Sequence, residues 1–147
     1  MMDPITAEII DVVGVLRGGD RTGARIRFAD LWLRVQHGDA FHRCVLCHYM
    51  ADAQDEVEKE LHWDQLALHA ASFATEAQST RAFEGVTLAS FFPELHLNLA
   101  ADYEKLGDLE LARFHVLKAR EKLGGLPDSE LVNVTRMALE RLDRRLG

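Results

Sequence analysis

The stretch richest in reactive groups is Cys44-Val45-Leu46-Cys47-His48. Its spacing is that of a c-type haem attachment site, in which both thiols add to vinyl groups and the histidine binds iron. Met50 or His96 would be available as the second axial ligand. Such attachment normally follows export to an oxidising compartment. The N-terminal MMDPITAEIIDVV instead carries acids where a secretory signal carries Lys or Arg, and it lacks a small-residue cleavage site. With His42, the same cluster reads as half of a zinc site, because Cys44 and His48 share a helix face at i, i+4. Two further ligands would have to come from elsewhere, such as His96 or His115, since no second Cys-x-x-Cys or His-x-x-x-His pair occurs. Metal binding through Cys44, Cys47 and His48 is therefore the second reading of the chain, and buried or half-buried thiols are the first. No cofactor and no metal are expected.

Two polar pairs at i, i+4, His48 with Asp52 and Asn98 with Asp102, form another constellation. A histidine beside a carboxylate can act as a general base. It would need an oriented nucleophile, and no serine here lies in a nucleophile-elbow motif. The pairs read better as hydrogen bonds between stacked hairpins or as the lining of a binding groove, so no enzymatic activity is expected.

The elements that must position these residues are helices. Asp3-Pro4 reads as a cap and first turn, and Ile5, Ile9, Val12, Val13 and Leu16 make the apolar stripe of a helix over 4–17. Gly18-Gly19-Asp20 ends it and opens a second helix, whose buried face is Ala24, Phe28, Leu31 and Val35. Asp39 caps a third helix over 40–54, and a fourth over 57–74 offers Leu61, Trp63, Leu66, Ala67 and Ala70 to the core. Residues 75–89 show no clear period and are expected to form a loop with at most a helical turn. Past Thr87 two more amphipathic helices meet at Gly107-Asp108, where Gly suits a left-handed helix end and Asp caps the next helix. Asp128 is the expected cap of a last helix, with Leu131, Val134, Ala138, Leu139, Leu142 and Leu146 on its apolar face.

The hairpin from Pro93 to Pro127 resembles a tetratricopeptide repeat (TPR) through His96, Leu99, Ala100, Tyr103, Ala112, Val116 and Ala119. His96 stands where Trp is usual and Val116 where Phe is usual. Laying Gly19-Asp20 over Gly107-Asp108 puts Ala24, Phe28 and Leu31 on Ala112, Val116 and Ala119, and a fainter copy spans Cys44 to Ala71. The resemblance implies an all-α fold of about seven helices. It would be one domain over 1–147, with three antiparallel TPR-like hairpins near 5–37, 44–74 and 93–126 stacked in a right-handed superhelix under a C-terminal capping helix over 128–146.

In TPR domains the first helices build a concave face for peptides or partner helices. Carried over by alignment, that face comprises Val45, His48, Asp52 and Asp55 in the middle copy and Glu94, Leu97, Asn98, Ala101, Glu104 and Lys105 in the last, with Thr6, Ile9, Val13 and Leu16 from the first. It has an apolar floor and an acidic wall, and implies a peptide or protein partner with basic and apolar residues. Of the ligands of a carboxylate clamp only Asn98 has a counterpart. A formal net charge of −7 argues against broad binding to nucleic acid or to an anionic membrane. No apolar run is long enough to span a membrane, and the acidic N-terminus does not read as a secretory signal, so a cytoplasmic protein is expected. Self-association through Phe91, Phe92 or the apolar first hairpin is a further expectation.

Overall fold

Caps cut this chain into helices. In a computed structural model, which describes residues 2–147, six helices begin at a side chain that accepts from a first-turn amide. Asp3 accepts from Thr6 N, Asp20 from Gly23 N, Asp39 from His42 N and Asp108 from Leu111 N. The elements are α1 (Pro4–Arg17), α2 (Arg21–Val35), α3 (Ala40–Asp52), α4 (Val57–Ala71), α5 (Glu76–Ala82), α6 (Leu88–Leu106), α7 (Leu109–Leu123) and α8 (Glu130–Leu146). No strand occurs among the described residues, so the fold is all-α. No helix among them is long and apolar enough to cross a membrane.

The chain divides into two compact units, one ending at Thr87 and the other running from Leu88 to Gly147. In the first, α1 packs on α2, α3 on α4, and α3 also meets α1, α2 and α5. The short turns make α1–α2 and α3–α4 antiparallel hairpins. Phe28, Phe41, Ile9 and Leu46 are its largest fully buried side chains. In the second unit α6 and α7 form a hairpin and α8 packs on both. Its core joins Ala100, Ala112, Val116, Ala119 and Leu123 to Val132, Leu139, Leu142 and Leu146 of α8.

The two Gly-Asp turns have the same geometry. Gly19 and Gly107 are left-handed, with φ of 98° and 83°. Behind each, the Asp amide donates back to a carbonyl of the preceding helix, Asp20 N to Val15 O at 3.3 Å and Asp108 N to Tyr103 O at 2.9 Å. This is the Schellman closure, which leaves the following Asp placed to cap the next helix. Ala24, Phe28 and Leu31 after the first turn, and Ala112, Val116 and Ala119 after the second, are all buried.

Four local expectations are revised. Residues 75–89 hold a real helix, α5, because Thr75 and Gln78 form a reciprocal capping box. The cap of α8 is Ser129, which accepts from Val132 N; Asp128 instead lies 3.6 Å from Arg136. The inward face of α8 is Val132, Thr135, Leu139, Leu142 and Leu146, and Val134 points to solvent. On α4 the fully buried positions are Asp64, Ala67, Ala70 and Ala71, while Leu61, Trp63 and Leu66 are half-buried.

Candidate functional site

Within the first unit, most of the expected partner face is turned inward. Thr6, Ile9, Val13, Val45 and His48 are buried, and Leu16 is half-buried. The α1 residues are core because α1 packs against α2 and α3. The His48 ring lies beside Tyr49, with centroids 4.8 Å apart. Asp52, the last residue of α3, is exposed.

Asp55 is exposed but held in place. Its Oδ1 accepts from Arg21 Nε and its Oδ2 from Arg25 Nη1, each at 2.9 Å. Arg21 also donates to Gln54 O, and Arg25 Nη1 donates to Ala53 O at 2.8 Å. The two guanidiniums keep the Asp55 carboxyl below its ordinary range, Arg21 contributing most. Two arginines of α2 thus clip the chain just after α3, which accounts for Asp55 without a partner.

In the second unit the α6 residues Glu94, Leu97, Asn98 and Ala101 are half-buried and Lys105 is exposed. They share one helix surface at spacings of three and four. Leu97 packs against the α6–α7–α8 core. Glu104 accepts two donors from Arg145 of α8, Nε at 3.1 Å and Nη2 at 3.0 Å. Two acids of the expected partner face, Asp55 in the first unit and Glu104 in the second, are therefore each ion-paired.

Cys44 and Cys47 are free thiols, both buried. Burial pushes the Cys47 thiol up to about 12, against the smaller opposing pull of Arg43. The ligand atoms of Cys44, Cys47 and His48 do not gather within 4.8 Å of one another as a set. His96 and His115, the further ligands named from the sequence, face each other instead, with their Nδ1 atoms 3.0 Å apart. Phe91 is buried and Lys122 lies over the Phe92 ring at 5.3 Å, so neither aromatic forms an open apolar patch.

No protein-family model, curated protein or solved structure matches this chain. Among the exposed apolar side chains, several gather on the outer face of α7. Leu111, Phe114 and Leu117 are exposed at three-residue spacing, opposite the buried Ala112, Val116 and Ala119. Lys118 lies over the Phe114 ring at 5.5 Å and 3.5 Å from Glu121, so the face is apolar with paired charge at its edge. These residues were absent from the expected face because the repeat logic assigns partners to first helices. Their signal was present in the sequence as apolar residues off the stripe of the second helix.

Proposed function

We propose that this chain is a non-catalytic interaction module, as its TPR resemblance implies, and that it takes a peptide or protein partner on the outer face of α7. The observation that carries this reading is the exposure of Leu111, Phe114 and Leu117 together on a helix whose opposite side is fully packed. A cluster of large apolar side chains rimmed by charge marks an interaction site more often than an isolated exposed leucine does. The partner's contact surface should be apolar, because Lys118 and Glu121 already neutralise each other and Glu104 is held by Arg145. Nucleic acid is disfavoured by the net charge of −7. The proposed setting is the cytoplasm.

Affinity capture from lysate tests the reading, using the full chain and a Phe114→Glu, Leu117→Glu variant. Both positions are exposed, so the variant should keep its helical circular dichroism. It should lose the captured protein. Equal capture by both forms, or no capture by the wild type above bare resin, would overturn the proposal.

A further inference from the structure

Helix α7 presents a face arranged symmetrically about Phe114. Leu111 lies three residues before it and Leu117 three after, while Glu110 lies four before and Lys118 four after. At 3.6 residues per turn, Leu111 and Leu117 stand about 60° to either side of Phe114 around the helix axis, and Glu110 and Lys118 about 40°. Leu111, Phe114, Leu117 and Glu110 are all exposed. An apolar centre is thus flanked by opposite charges, each about 6 Å from it along the axis.

The other cations of α7 are directed elsewhere. Arg113 donates to Leu146 O at 2.9 Å, Arg120 pairs with Asp143 of α8, and Lys122 lies over the Phe92 ring of α6. Lys118 stays at the edge of the face, over the Phe114 ring at 5.5 Å and 3.5 Å from Glu121. That i, i+3 contact is exposed to solvent and occupies one of the three ammonium donors, so Lys118 can take a second carboxylate. Glu110 makes no ion pair among the described residues.

We propose that a second copy of this chain covers the α7 face, the two helices packing antiparallel about a two-fold axis at Phe114. This rests on the reading of α7 as a docking surface and names its occupant. A two-fold contact requires a surface that is complementary to itself. In the antiparallel arrangement Phe114 meets its own copy, Leu111 comes level with Leu117 of the second copy, and Glu110 comes level with Lys118 of the second copy, each pairing being made twice. A parallel arrangement would set Glu110 beside Glu110 and Lys118 beside Lys118, and like charges at one level repel. Charge therefore selects the antiparallel dimer. Three large apolar side chains on one helix fall well short of the roughly 800 Å² per partner of a stable complex. The dimer is accordingly weak, with a Kd of about 0.1–1 mM.

Sedimentation equilibrium of the full chain from about 10 μM to about 2 mM tests the assignment. The weight-average mass should climb from monomer toward dimer across the series and go no higher, as a closed two-fold contact requires. Phe114→Glu should keep the monomer mass at concentrations where the wild type is dimeric. Glu110→Lys and Lys118→Glu each bring like charges level and should each weaken association about fivefold or more, and the double variant should return to within about twofold of the wild type. A wild type that stays monomeric at about 2 mM, a Phe114→Glu variant that still dimerises, or two charge reversals that do not rescue each other would each overturn it. The concentration series on the wild type needs no variant to fold. A monomeric wild type whose lysate capture is still lost on Phe114→Glu, Leu117→Glu substitution would overturn the second copy and keep the face for a different protein. A monomeric wild type with equal capture by both forms would remove the face as well.

Discussion

His96 and His115 bring their Nδ1 atoms to 3.0 Å, with the two rings stacked at an interplanar angle of 26°. Such a contact holds when one Nδ1 carries the proton and the other offers its lone pair, so the two imidazoles cannot both be charged without opposing N–H groups. Tyr103 lies nearly parallel to His115, with centroids 5.6 Å apart and 8° between planes, and closes the stack. A His–His–Tyr stack therefore fills the space between α6 and α7 where the repeat pattern expects Trp.

Burial, then His115, Lys122 and Lys118, lower the His96 value to about 4, with Glu121 opposing; burial also lowers His115. Above an unfolded value of about 6.5 both states are neutral and the pair adds its full stability. Between there and about 4 the unfolded chain takes up a proton that folded His96 refuses, so stability falls as the pH drops through that window. The loss from His96 has a ceiling of about 3 kcal/mol. Urea midpoints at about pH 7 and about pH 4.5 should show His96→Phe losing less stability on acidification than the wild type. Parallel losses in the two proteins would remove His96 from the acid sensitivity.

The Gly-Asp turns make a second prediction. Gly107 sits at φ 83°, where a β-carbon is strained, and Asp108 holds the Leu111 amide at 3.1 Å. Gly107→Ala should cost about 1–2 kcal/mol and Asp108→Ala about 1 kcal/mol in chemical unfolding. Asp20→Ala, which removes the bond to Gly23 N at 2.9 Å, should match Asp108→Ala. Unchanged midpoints would mean that these turns follow the helices instead of fixing where they end.

The thiols make a third. With Cys47 at about 12, only about one molecule in ten thousand carries its thiolate at pH 8. Cys44 and Cys47 are both buried. Ellman's reagent should therefore react slowly with the native protein and fully with both thiols after denaturation. A chelator should leave the melting temperature unchanged, since the ligand atoms of Cys44, Cys47 and His48 do not converge. Rapid labelling of the native protein, or a chelator-induced drop in melting temperature, would contradict this account.

The fold was legible wherever a local signal coincided with a stripe. Gly19-Asp20 and Gly107-Asp108 mark turns that need a positive φ and a cap, and Ala24, Phe28 and Leu31 follow at helical spacing. Helix α5 was missed because seven residues are too few for a period, although the Thr75-x-x-Gln78 box was present in the sequence. The faces of α1 and α3 were harder to read. Ile9, Val13 and Val45 are apolar whether a helix meets a partner or another helix of the same chain, and only the packing separates the two cases. The clip from Arg21 and Arg25 to Asp55 joins residues 34 and 30 positions apart, which no local pattern reports.

Helix α8 allows the sharpest test of such a reading, because its sequence supports two faces. One runs through Leu131, Val134 and Ala138, and the other through Val132 and Thr135, with Leu139, Leu142 and Leu146 common to both. A count of apolar residues favours the first, since the second includes a threonine. The structure turns the second inward, with Thr135 at 2% exposure and Val134 at 58%. Ser129 at the start and the pairing of Arg145 with Glu104 near the end hold this orientation. Leu142→Ala should cost about 2–5 kcal/mol by leaving a cavity against α6 and α7, and Val132→Ala should also destabilise clearly. Val134→Ala should stay within about 0.5 kcal/mol of the wild type. Chemical unfolding of the three variants decides the matter: if Val134→Ala lost more stability than Val132→Ala, α8 would be rotated toward its other face, and the pairing of Arg145 with Glu104 could not stand as described.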